Sequence, residues 1–135
     1  MEKEGAGYIV ASIGKEGGYI PYTCYSAKKS YIEKKPEIIQ GFTNGIYKGM
    51  KWVENHSAEE IAKSLQPHFP DSDLEVLVSL VARYKAQDTW KPDLILTEEG
   101  LNHMMDIIDQ AIGLEKRAPY SEIVITEFAD KTMKK

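Results

Sequence analysis

Residues 36–55 read PEIIQGFTNGIYKGMKWVEN, and the spacing of the apolar side chains in this run decides the character of the chain. Ile38, Ile39, Phe42, Ile46, Met50 and Val53 fall near one face of a helix, whereas a strand would alternate apolar and polar residues. Pro36 suits the first helical turn, where its missing N–H is no loss. It also stops whatever precedes it, because the residue before a proline avoids the α region. Gly41, Gly45 and Gly49 recur every four residues along this helix. Each weakens a helix by roughly 1 kcal/mol relative to alanine, so the stripe predicts that another backbone packs closely on that side. Gln40, Asn44, Lys48 and Lys51 intervene, which excludes a membrane-inserted dimerisation face.

Downstream the helical period continues. Ser57-Ala58-Glu59-Glu60 is a capping-box pattern, in which the serine hydroxyl and the glutamate carboxylate each satisfy an orphan backbone N–H. It opens a helix to about Leu65, after which Pro67 and Pro70 break the chain. Ser72-Asp73-Leu74-Glu75 repeats the pattern ahead of Leu74, Leu77, Val78, Val81 and Tyr84, predicting a helix that ends near Gln87. Thr97 is expected to cap a further long helix with the stripe Leu101, Met104, Met105, Ile108, Ala111 and Ile112, and Gly113 is its natural C′ residue. Short helical turns follow Pro119, between Ser121 and Met133. Upstream, Ser26 is expected to cap a short helix through Glu33.

Residues 7–26 read differently. Tyr8-Ile9-Val10-Ala11-Ser12-Ile13 is a β-branched run, followed by the turn-prone Gly14-Lys15-Glu16-Gly17-Gly18 and then Tyr19-Ile20-Pro21-Tyr22-Thr23-Cys24-Tyr25. The pattern predicts two strands joined by a short loop. Pro21 cannot donate a ladder hydrogen bond, so the second strand is an edge strand or starts after it. Two strands alone are marginal in water and need a larger sheet or a helical layer. The expected class is α+β, mostly helical, with a strand segment over 7–26 and a helical segment over 27–135.

The chain has 135 residues, 28% charged and 42% hydrophobic, the composition of one globular domain. Its net charge of −4 excludes a strongly basic nucleic-acid binder. Cys24 is the one cysteine, so neither an internal disulfide nor an all-cysteine metal site can form. No apolar run approaches the roughly 20 residues of a membrane span. MEKEGAGYIVASIG lacks a basic stretch followed by a long apolar core, so no signal peptide is expected here.

Catalytic and metal motifs are sparse. His56, His68 and His103 fall in separate segments with no ligand-pair spacing. Asp71-Ser72-Asp73-Leu74-Glu75 begins like a calcium loop, yet Val76 stands where the sharp turn needs glycine, and Ala82 where a bidentate glutamate belongs. Gly14 to Gly18 lack phosphate-loop spacing and read as a hairpin turn. Asn55-His56-Ser57 fits a glycosylation sequon, a pattern common by chance. Tyr19, Tyr22, Tyr25 and Tyr31 are the most suggestive group, since tyrosines on a strand can line a ligand cleft with ring face and hydroxyl. The same residues also suit a strand simply covered by helices. No catalytic residue, metal or cofactor is expected.

The ordered segments YSAKKSYIEKKPEIIQGFTNGIYKGMKWVENHSAEEIAKSL (25–65), RYKAQDTW (83–90), LTEEGLNHMMDIIDQAIGL (96–114) and RAPYSEIVITEFADK (117–131) carry a resemblance. Together they resemble the C-terminal part of ABC-transporter substrate-binding proteins of the nitrate/sulfonate/bicarbonate (NitT/TauT) family, which includes binders of thiamine pyrimidine precursors. The resemblance spans about Gly7 to Lys131 and rests on the order of segments rather than on a short motif. It implies the C-terminal part of a two-lobed periplasmic-binding-protein-like (type II) α/β fold, with the N-terminal lobe absent and residues 1–135 forming one partial domain. It further implies a non-enzymatic solute receptor with a small-molecule ligand, an ABC permease as partner of the full-length protein, and an extracytoplasmic location. The segment IPYTCYSA corresponds to the strand near the hinge, which nominates Tyr22, Thr23 and Tyr25 as ligand-binding residues. Alternation puts Tyr22 and Thr23 on opposite faces, so the three cannot share one cleft. Related thiamine pyrimidine synthases share the fold and form the enzymatic alternative; a helical interaction module is a third reading. Unpartnered strand edges and helix faces are expected to drive homo-oligomerisation through residues 7–26, with the Gly41/Gly45/Gly49 face as the next contact.

Overall fold

The computed structural model describes residues 5–134. Its elements are α1 (Ile13–Glu16), α2 (Lys29–Lys34), α3 (Pro36–Asn55), α4 (Ala58–Leu65) with a 3₁₀ turn at Gln66–His68, α5 (Leu74–Ala86), α6 (Glu98–Ile112), α7 (Tyr120–Ile123) and α8 (Glu127–Met133). Among the described residues there is no β-strand.

The best-packed part is the α4–α5 pair. Ile61 and Ala62 of α4 meet Leu77 and Val81 of α5, and Val53, Leu65, Leu74 and Val78 close around them. The helix start at α4 is the one the residues dictate: Ser57 Oγ accepts from Glu60 N, and Glu60 Oε2 accepts from Ser57 N at 2.8 Å. Lys85, near the end of α5, reaches across to donate to the last carbonyls of α3, including Val53 O at 3.0 Å. A cation there offsets the negative end of the helix dipole.

A second junction joins α3 to α8. Phe128, Ala129 and Thr132 are buried there. Gln40 Nε2 donates to Phe128 O (3.0 Å) and to Thr132 Oγ1 (2.8 Å), and Thr132 Oγ1 donates to Asn44 Oδ1 (2.6 Å). At α6, Thr97 Oγ1 accepts from Gly100 N, Leu101 and Met105 are buried, and Gly113 ends the helix with φ +74°. Arg117 forks onto Asp106 and Asp109 of the same helix.

Five expectations are corrected. Residues 7–12 and 19–25 are not strands: the backbone forms no ladder, because a strand needs a neighbour to take its N–H and C=O groups and no second strand lies beside it. The turn expected at Gly14 to Gly18 is the helical turn α1, with Ser12 O accepting from Lys15 N and Glu16 N, and Gly18 at φ +70° redirecting the chain. The second capping box does not form. Here α5 begins one residue late for it, with Asp73 as N-cap and no side-chain cap bond, which leaves Ser72 one position too early. Likewise α2 begins after Lys28, so Ser26 does not cap it. The close backbone approach expected at Gly41, Gly45 and Gly49 is also missing, since a Cβ built on any of them meets nothing within 4 Å.

The chain exposes 10460 Å². A compact monomer of 15.3 kDa exposes about 7,100 Å² by the surface–mass scaling. The helices therefore form an open array with apolar faces left in solvent.

Candidate functional site

The segment over 7–26 that carried the tyrosines is laid across the helices rather than paired into a sheet, and side chains pin it at successive points. Ser12 Oγ donates to Gln87 Oε1 at 2.9 Å, just past the end of α5. His103 Nε2, on α6, donates to Gly17 O at 2.9 Å, which places the ring proton on Nε2. The Tyr19 ring packs against the start of α6. A Cβ on Gly100 would come within 2.7 Å of the Tyr19 ring, so only glycine leaves room for it. Farther along, Tyr25 meets Phe42 of α3 edge-on, with ring centroids 4.9 Å apart.

Lys91 completes the Tyr19 contact. Its Nζ sits 5.0 Å from the ring centroid and donates to Asp93 Oδ1 (2.9 Å) and to Ile95 O. Burial pushes the ammonium down, but the Tyr19 hydroxyl and the Asp93 carboxylate outweigh it and hold Lys91 above the ordinary lysine value. Asp93 is pushed up by burial and pulled further down by the Ile95 N–H and by Lys91, ending below the usual carboxylate value. Nothing in the sequence signals this cluster. Tyr19 was visible as an aromatic on an extended run, but Lys91 and Gly100 come from a distant loop and helix.

The nominated residues Tyr22, Thr23 and Tyr25 are not gathered into a cleft. Tyr22 is 95% exposed and Tyr25 74% exposed, and Thr23 is exposed between them. Two shallow depressions lie elsewhere. One, of about 350 Å³, is lined by Ile9, Val10, Ser12, Glu16, Arg83 and Gln87. The other, of about 270 Å³, lies beside Lys116, Arg117, Pro119 and Glu122. Neither contains an aromatic side chain of the kind that buries a small ligand. The histidines are scattered: His56 stacks on Trp52, and His103 holds the N-terminal segment. Among the described residues no group of three His, Cys, Asp or Glu is placed to hold a metal. Among the described residues the arrangement offers an exposed aromatic strip and two shallow depressions away from it.

The chain is similar to part of a binding protein. It is 42% identical over 131 residues to a Bacillus subtilis (strain 168) protein named "Putative binding protein YtlA". The match takes in 97% of this chain but only 39% of that relative. No protein-family model matches the chain, and no solved structure matches it.

Proposed function

We propose that these residues are the C-terminal portion of the ligand-binding component of an ABC importer of the NitT/TauT class. Its ligand is a small molecule such as a thiamine pyrimidine precursor, nitrate or a sulfonate. The observation that carries this reading is the 42% identity to a named binding protein along almost the whole chain. It is supported by Tyr22 and Tyr25, which hold ring faces and hydroxyls in solvent with no pocket of their own. Because residues 19–25 are not a strand, alternation does not separate them, and in the full-length protein Tyr22, Thr23 and Tyr25 contribute to the ligand site near the hinge, the remaining walls coming from the other lobe. The protein is a receptor and not an enzyme. It acts outside the cytoplasm, closing around its ligand and presenting the closed form to a membrane permease. In isolation the chain pairs with a second copy through residues 7–26.

Calorimetric titration of the full-length protein with nitrate, an alkanesulfonate and an aminopyrimidine tests the reading. One of the three is expected to bind, and Tyr22→Ala or Tyr25→Ala to weaken that binding at least about tenfold, the equivalent of 1.4 kcal/mol. Absence of binding by all three overturns the ligand class; unchanged affinity in both variants removes the tyrosines from the site.

A further inference from the structure

Charge is unevenly distributed along the chain. Residues 17–53 hold six lysines against two glutamates, whereas the remaining residues hold eleven lysines and arginines against nineteen acidic side chains. Four of the six lysines gather at α2: Lys29 and Lys34 lie within the helix, and Lys28 and Lys35 cap it. All four are exposed. Cations elsewhere are engaged within the molecule. Lys51, Lys63, Lys91 and Arg117 face carboxylates, and Lys85 bonds the end of α3. The α2 lysines have no acidic partner among the described residues. Lys28, Tyr31, Lys34 and Lys35 follow at steps of three, three and one, which puts three cations and an exposed tyrosine on one side of the helix. Tyr25, just before α2, meets Phe42 of α3 edge-on and so closes residues 25–42 into a loop that carries this face.

We propose that the α2 face docks on an anionic lipid surface. Unpaired cations on one side of a helix match a layer of negative headgroups, and each lysine brought near such a layer adds to the attraction. Tyr31 among them is an amphipathic ring of the kind that sits at headgroup depth. Ile38 and Phe42, both about half exposed, stand on the adjoining turns of α3 and give the face an apolar footing. The composition favours lipid over nucleic acid. Residues 17–53 contain no arginine. Arginine grips a phosphate in fixed geometry through two parallel hydrogen bonds, whereas lysine is a point charge that tolerates mobile headgroups. The contact is peripheral, since no helix among the described residues is long and apolar enough to cross a membrane. The inference does not rest on the importer reading, so a protein that bound none of the three ligand classes would leave it standing.

The test is co-sedimentation of the unlipidated full-length protein with vesicles of phosphatidylcholine alone, or of phosphatidylcholine with about one third phosphatidylglycerol. Binding is expected to the anionic vesicles only, and to fall as added salt screens the charges. Lys28→Gln, Lys29→Gln, Lys34→Gln and Lys35→Gln together are expected to weaken it at least about tenfold. Lys63→Gln, Lys116→Gln, Lys131→Gln and Lys134→Gln remove the same charge elsewhere and are expected to leave it within about twofold. If the first variant loses helicity by circular dichroism, the pairs Lys28→Gln with Lys29→Gln and Lys34→Gln with Lys35→Gln are measured separately, each expected to weaken binding at least about threefold. No binding to the anionic vesicles overturns the proposal, as does an equal loss in the two quadruple variants, which would make overall charge the cause. A single-stranded oligonucleotide that binds more tightly than the vesicles and displaces the protein from them also overturns it, because the face would then serve nucleic acid.

Discussion

At the residue scale the N-terminal segment is held by single contacts that a point substitution can break. The clearest is Gly100, where a methyl group would occupy the space of the Tyr19 ring. Alanine is the better helix former by roughly 1 kcal/mol, so Gly100→Ala is expected to leave α6 intact or slightly firmer while displacing Tyr19. Freed from Lys91 and from the helix, residues 17–20 are expected to exchange their amide hydrogens about tenfold faster, while α4 and α5 are unchanged. Hydrogen-exchange mass spectrometry reads both. Faster exchange across α6 would instead show that Gly100 supports the helix itself. The nominated Tyr22 and Tyr25 were legible in the sequence as aromatics on an extended run. Their exposure was not, because burial is decided by residues distant in sequence.

At the element scale, what was legible is what is local. Pro36 at the start of α3, Ser57 and Glu60 at α4, and Thr97 and Gly113 bounding α6 all act within one helical turn, and all are where their spacing puts them. The strands over 8–13 and 19–25 failed because a strand is completed only by a non-local neighbour, and β-branched composition says nothing about whether one exists. The α3–α8 network of Gln40, Asn44 and Thr132, and the reach of Lys85 to the end of α3, were equally hidden. Capping also sets a pH dependence. The Ser57 backbone N–H and hydroxyl hold Glu60 below its ordinary value of 4.5. A depressed carboxylate stabilises the fold above its unfolded value and loses that contribution as pH falls through its folded value. The start of α4 is therefore expected to loosen below about pH 4.5, and Glu60→Gln to remove that part of the acid response. Circular dichroism between pH 6 and 3 checks it; identical acid profiles in the two proteins would mean the carboxylate has no part in it.

At the scale of the whole molecule, the buried cluster between α4 and α5 is small beside the surface left open, and Tyr8, Ile9, Val10 and Ile13 all lie in solvent. Apolar patches of this kind drive association, and extended backbone without a ladder can pair with its like. Sedimentation equilibrium of the isolated chain at micromolar concentration is expected to give a dimer or larger, with residues 7–26 protected from exchange. A monomer mass at all concentrations would sink the self-pairing. The manner in which that segment is attached has a mechanical consequence. Ser12 on Gln87, Gly17 on His103, Tyr19 on Lys91 and Tyr25 on Phe42 are met one after another along the chain. Tension applied at the N-terminal end loads each attachment in turn, as peeling tape does, whereas a ladder pulled along its strands shares the load among its bonds. The segment from residue 5 to residue 25 would pay out roughly 70 Å of extended chain as those contacts let go one by one. It is a compliant leash, and the stiff frame begins at the helices.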